Sequence, residues 1–125
     1  MQDLTPILKA GKKSIDAYGN GGFRVAGERL EGNVIILPDS VHKFISSSIE
    51  QTTSEQLSPI ISAAEDVDIL LVGCGQVTEF FDAPVENTLR SKKITVEYMS
   101  TGAAVRTYNV LLSEERKVAV VLIAV

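Results

Sequence analysis

The chain has 125 residues, 45% of them hydrophobic, 22% charged and 6% aromatic. That length fits one globular domain spanning 1–125, with folding burying roughly two thirds of the unfolded surface, and excludes two. Twelve basic against sixteen acidic residues leave a net charge of -4, which argues against a nonspecific polyanion footprint and so against nucleic acid as a partner.

Met1-Gln2-Asp3-Leu4 has no basic region leading into an apolar one, so a secretory signal is not expected and a cytoplasmic location is the default. Ser14–Tyr18 and Phe23–Val25 carry apolar residues at every second position, which is strand periodicity. Gly19-Asn20-Gly21-Gly22 between them tolerates positive φ and predicts a hairpin. Val34-Ile35-Ile36-Leu37 is a β-branched run too short for a helix, closed by the turn chemistry of Pro38-Asp39-Ser40. Val41–Ser46 is read as a further strand, with His42 and Phe44 on one side and Val41, Lys43 and Ile45 on the other.

Beyond residue 50 the rhythm becomes helical. Leu57, Ile60, Ile61 and Ala64 share a face, and Pro59 places the helix start near Ser58, where a proline costs least. Asp68–Val72, stopped by Gly73, reads as a strand covered on both faces. Asp82-Ala83-Pro84 starts a helix running to about Ser91, with Val85 and Leu89 four apart. Ile94–Tyr98 is a strand, Thr101 opens a helix to about Glu115, and Lys117–Val125 is the last strand. Its apolar run, Val118–Val125, has eight residues and is far short of the roughly 20 that cross a bilayer, so no membrane span is expected. At an edge of the sheet it would offer a pairing surface for a second copy, and at the centre it would be core. Strands alternating with helices predict parallel strands, hence an α/β domain with a mixed sheet, in which the hairpin-rich first half extends the parallel sheet or packs as a second layer.

Ligands of open parallel sheets bind beyond the carboxyl ends of strands, which directs attention to the residues after Val72 and Tyr98. Gly73-Cys74-Gly75-Gln76 does not complete a dinucleotide fingerprint, because Thr78 stands where the third small residue belongs and Phe80-Phe81-Asp82-Ala83-Pro84 delays the helix. A tight turn leaving a buried strand is the plainer reading. After the second strand, Met99-Ser100-Thr101-Gly102-Ala103-Ala104 leads into a helix whose first turn attracts anions. Gly102, Arg106, Asn109 and Ser113 fall on one helical stripe, while Ala104, Tyr108, Leu111 and Leu112 form the core-facing one. The polar stripe is either a solvated face or a ligand or partner surface, with Arg106 able to clamp a carboxylate or phosphate. Asn109 favours the latter, since Asn in a helix interior needs a reason to be there.

The lone Cys74 excludes an internal disulfide and fits a reducing compartment, and a small packing role suits it better than a catalytic pairing with His42, the sole imidazole. No metal-ligand spacing is visible: Glu65, Asp66 and Asp68 read as a solvated helix end and strand entry, and Glu114–Lys117 as a charged turn. Neither a catalytic residue, a metal nor a cofactor is therefore predicted.

Ile15-Asp16-Ala17-Tyr18-Gly19, Gly21-Gly22-Phe23-Arg24, Val34-Ile35-Ile36-Leu37-Pro38, the turn Leu70-Leu71-Val72-Gly73-x-Gly75 and above all Thr101-Gly102-Ala103-Ala104-x-Arg106-Thr107-Tyr108-Asn109-Val110 carry a family resemblance. Across roughly residues 12–124 the chain resembles a small family of single-domain proteins of unassigned activity, the Mth-type domains. That family includes bacterial and archaeal hypothetical proteins, the mitochondrial assembly factor 3 of NADH dehydrogenase complex I and an adipogenesis-associated protein. The resemblance implies a three-layer β+β/α domain, with Gly73, Gly75, Thr101, Arg106, Tyr108 and Asn109 as characteristic positions. Members often have Thr where this chain has Cys74, which speaks against a shared catalytic thiol. The leading expectation is a non-enzymatic protein-interaction or assembly-type domain with an unidentified protein partner. The rival is a small-anion or metabolite-binding domain, with or without catalysis, built from Gly73, Cys74, Gly75, Thr101, Gly102, Arg106, Tyr108 and Asn109.

Overall fold

A computed structural model describes residues 12–125, so the reading of Met1–Leu4 lies outside the described residues. In chain order come β1 (Ile15–Gly19), β2 (Gly22–Val25), β3 (Glu28–Glu31), β4 (Val34–Leu37) and β5 (Ser40–Lys43). There follow α1 (Ser58–Ser62) between two short 3-10 turns, β6 (Ile69–Gly73), α2 (Ala83–Ser91), β7 (Thr95–Met99), α3 (Thr101–Ser113) and β8 (Val118–Leu122).

Both alternatives left open for the first half are realised. β1, β2 and β3 form a separate antiparallel sheet, while β4 and β5 join the other strands in a five-stranded sheet of order β5-β4-β8-β6-β7. β6 runs parallel to both β7 and β8, with Leu71 opposite Glu97 and Val120, and β4 runs antiparallel to β8, with Ile35 opposite Val121. The predicted hairpin turns at Asn20 and Gly21, both at positive φ. A second tight turn at Ala26-Gly27, where the Asp16 carboxylate accepts the Gly27 N–H at 2.7 Å, returns the chain as β3. The sequence reading missed β3, because in Glu28-Arg29-Leu30-Glu31 only Leu30 is apolar and alternation has nothing to register.

Period-two alternation divides the five-stranded sheet into two faces. Ile35, Leu70, Val72, Ala119 and Val121 pack with Leu57 and Ile60 near α1, and with Phe81 and the α2 residues Val85 and Leu89. On the opposite face Ile36, Leu71, Val120 and Leu122 meet α3 through Ala104, Val105, Tyr108 and Leu112, together with Ile15, Phe23 and Val25 of the small sheet. The result is the three-layer α/β arrangement implied by the resemblance.

Pro59 lies in the first turn of α1, and Asp82 caps α2 by accepting the Val85 N–H at 3.2 Å. The end of the fifth strand differs from the sequence reading, which carried it to Ser46. β5 stops at Lys43; the Phe44 N–H still donates to Asn33 O opposite it, 3.0 Å away, as the closing bond of the β4–β5 ladder, and the Phe44 ring is buried in the core. α3 opens at Thr101 as expected and is capped by Ser100, whose Oγ accepts the Ala103 N–H. The last strand lies between β4 and β6 with both edges hydrogen-bonded, so pairing of a second copy through β8 is excluded.

Candidate functional site

The carboxyl ends of β5, β6, β7 and β8 point to one end of the molecule, because β5 and β8 both run antiparallel to β4. α3 begins at that end, pressed against β6. A Cβ on Gly73 would stand 2.7 Å from Leu122 Cδ2 and 3.0 Å from Ala104 Cβ, so glycine is what lets helix and strand approach. Gly75 has φ +83°, turning the chain back toward α3. Thr101 then ties three segments together. Its Oγ1 accepts the Gly75 N–H at 2.9 Å and donates to Ile123 O at 2.7 Å, and its own N–H donates to Gly75 O.

The first turn of α3 is largely satisfied from within the protein. Thr101 N–H goes to Gly75 O, Ala103 N–H to Ser100 Oγ and Ala104 N–H to Ser100 O. Gly102 leaves a gap that Tyr18 fills: a Cβ there would lie 2.5 Å from the Tyr18 hydroxyl and 3.5 Å from Arg106 Nη1. Arg106 is exposed beside this pair.

The predicted polar stripe of Gly102, Arg106, Asn109 and Ser113 is split by the small sheet, which packs over the middle of α3. Arg106 and Ser113 remain exposed, whereas Asn109 is only 5% exposed and pairs with the backbone of β1. Its Oδ1 accepts the Ile15 N–H at 2.9 Å, and its Nδ2 donates to Ile15 O at 2.8 Å. Tyr108 is fully buried with its hydroxyl donating to Lys13 O, and burial raises its pKa above the usual phenol value. Cys74 is buried beneath the following loop; its thiol donates to Glu79 O at 3.2 Å, and burial raises its pKa. His42 stands on β5, three strands away, within hydrogen-bonding distance of Ser40 Oγ. A thiolate–imidazole pair therefore does not assemble.

Six of the eight predicted positions, Gly73, Cys74, Gly75, Thr101, Tyr108 and Asn109, are buried; Gly102 is half-buried and Arg106 exposed. The same end carries residues the sequence reading did not select. Val77 is 72% exposed and Phe80 58%, with the Phe80 ring edge-on to Tyr98 at 4.8 Å. The Tyr98 hydroxyl donates to Glu86 and accepts the Phe81 N–H. The available signal was the Phe80-Phe81 pair just before the helix cap, two large apolar side chains side by side in a segment outside any strand or helix. A cleft of about 850 Å³ opens at the opposite end between Leu37, Asp39, Leu112 and Arg116, and none of the predicted residues lines it. Among the described residues no helix is long and apolar enough to cross a membrane.

A model of a protein family of unknown function, DUF498/DUF598, matches residues 15–123. An uncharacterised protein of Rhodobacter capsulatus is 34% identical over 114 residues, covering 91% of this chain and 86% of that one. The NADH dehydrogenase [ubiquinone] 1 alpha subcomplex assembly factor 3 of Bos taurus is 34% identical over 109 residues, covering 87% of this chain and 59% of its own. The chain thus spans about 60% of the length of the assembly factors it matches. Among solved structures, that of an outer membrane protein from Bartonella henselae superimposes with a TM-score of 0.84 at 38% identity, covering 91% of this chain and 96% of that one. By fold, by the Thr101–Asn109 constellation and by these matches, the chain belongs to the DUF498/DUF598 family of unknown function.

Proposed function

We propose that this chain is an assembly-type protein-interaction domain that docks a protein partner on the carboxyl-end surface of its main sheet. The observation that carries this reading is the division of labour at that end. Gly73, Thr101, Tyr108 and Asn109 are spent bracing α3 against β6 and β1, while Val77 and Phe80 stand exposed above them. Exposed apolar groups grouped on loops over a rigid scaffold are the usual anatomy of a docking surface. The assembly factors among the relatives support the same reading. The unpaired Cys74 thiol suits a cytoplasmic setting.

The test is native co-purification followed by measurement of stoichiometry. A complex of defined composition that is lost in Phe80→Ser, with the fold intact by circular dichroism, supports the proposal. Recovery of free protein only, or a complex indifferent to Phe80→Ser and Val77→Ser, overturns it.

A second reading has one observation in its favour: Arg106 Nη1 and the Tyr18 hydroxyl flank Gly102, where a small anion would meet both. Stabilisation of the protein by a phosphate, carboxylate or nucleotide, lost in Arg106→Ala, supports it, and no thermal shift across such a panel rejects it.

A further inference from the structure

The charge of the chain is unevenly placed. Residues 44–89 hold eight of the sixteen acidic residues and none of the twelve basic ones. Four of these eight lie on the two loops and the helix start that build the apolar surface. Glu79 and Asp82 flank Phe80 and Phe81, Glu86 accepts from Tyr98, and the Glu50 N–H donates to the Glu79 carboxylate at 3.2 Å, joining the loop after β5 to the loop after β6. The nearest cations in sequence are engaged elsewhere. Lys43 Nζ donates to Glu31 O and Arg90 Nη1 to Asn87 Oδ1. Phe80, edge-on to Tyr98, and Val77 three residues before it thus stand exposed on a loop whose flanking charges are all carboxylates.

Resting on the docking role proposed above, we infer that the occupant of this surface is a basic, apolar-anchored protein segment, an apolar side chain seated against Phe80 and Val77 with Lys or Arg on either side. Two features select it. The exposed apolar side chains supply the anchor, because burying Phe80 and Val77 removes apolar surface from water. The carboxylates repel an acidic segment and draw a basic one, which sets partner choice and encounter rate. A second copy of this chain fits less well, since a two-fold contact would set the two acidic ends against each other and a head-to-tail contact closes only where its rotation completes a ring.

The probes are two synthetic peptides of equal length, one with Leu anchors flanked by Lys and Arg, the other with Glu and Asp in the same places. Binding is read by fluorescence anisotropy and by amide shifts over residues 74–86. The basic peptide should bind at least roughly tenfold more tightly than the acidic one and move those amides. That preference should fall roughly tenfold between about 50 and about 300 mM salt. Phe80→Ser should weaken both peptides, whereas Glu79→Gln with Asp82→Asn, which keep the hydrogen-bond acceptors, should abolish only the preference. Equal binding of the two peptides, or a preference untouched by the double neutralisation, overturns the inference. Self-association removed by Phe80→Ser without any peptide assigns the surface to a second copy and also overturns it. A native complex lost in Phe80→Ser beside peptides that bind equally sinks the basic occupant alone; a native complex indifferent to Phe80→Ser sinks the docking role itself.

Discussion

Asn109 and Ile15, 94 residues apart, close a two-way hydrogen bond in which the side-chain amide of α3 satisfies both the N–H and the C=O of a β1 residue. The pairing copies what a neighbouring strand would offer, so α3 serves β1 as a partner at that position. Asn109→Ala should leave two buried backbone groups without these bonds and cost about 2–4 kcal/mol in denaturant unfolding. Asn109→Asp should do no better, because a carboxylate oxygen would face Ile15 O. A loss under about 1 kcal/mol for Ala would show that the contact is not a brace.

The two glycines of the β6 turn differ in what they forbid. Gly73→Ala drives a methyl group into Leu122 and Ala104 and should cost about 1–3 kcal/mol, as overpacking does. Gly75→Ala meets only ordinary contacts but keeps a positive φ, and should cost about 1 kcal/mol. Thermal unfolding of the two variants should rank Gly73→Ala as the worse.

Arg106→Ala should change stability by no more than about 0.5 kcal/mol, since the side chain is exposed on the outer surface of α3. A large loss of melting temperature would place Arg106 among the braces and remove it from the anion-binding reading.

The Cys74 thiol is buried, donates to Glu79 O and has a raised pKa, so the native protein should react with a disulfide reagent about 100-fold more slowly than the unfolded chain. Equal rates would mean that the loop over Cys74 opens freely.

Alkaline stability tests Tyr108. Burial raises its folded pKa above the usual 10.0, so the folded state holds the phenol proton more tightly than the unfolded chain does. The resulting stabilisation is complete below pH 10.0 and fades as pH climbs above it toward the raised folded value. Tyr98, raised first by burial and next by its bond to Glu86, adds to the same window. Tyr108→Phe should lose about 1 kcal/mol at neutral pH with the bond to Lys13 O, yet unfold less steeply above pH 10.0. An unchanged alkaline limb would refute the assignment to Tyr108.

Much of the fold was legible because its elements carry their own punctuation: Asp82 with Pro84, Pro59 at a helix start, Asn20-Gly21 at a turn. β3 was not, since its pairing with β2 is set by the Ala26-Gly27 turn and not by apolar alternation. The candidate site was legible as a set of positions but not as roles. Helical periodicity placed Asn109 with Arg106, and only the small sheet lying across α3 separates a buried amide from an exposed guanidinium. Phe80 escaped notice because an aromatic before a cap reads as core until its neighbour Phe81 is seen to take the interior place.

The central place of β8 also dictates an order of events in synthesis. Until residue 122 has left the ribosome, the β4–β5 hairpin and the β6–β7 pair have nothing to join them into one sheet. Their inner edges stay open for the whole time that α3 is being made, which exposes them to stray pairing. Cotranslational protease protection of a stalled nascent chain should therefore appear in one late step, when Val118–Leu122 inserts, and not in increments as each βα unit emerges.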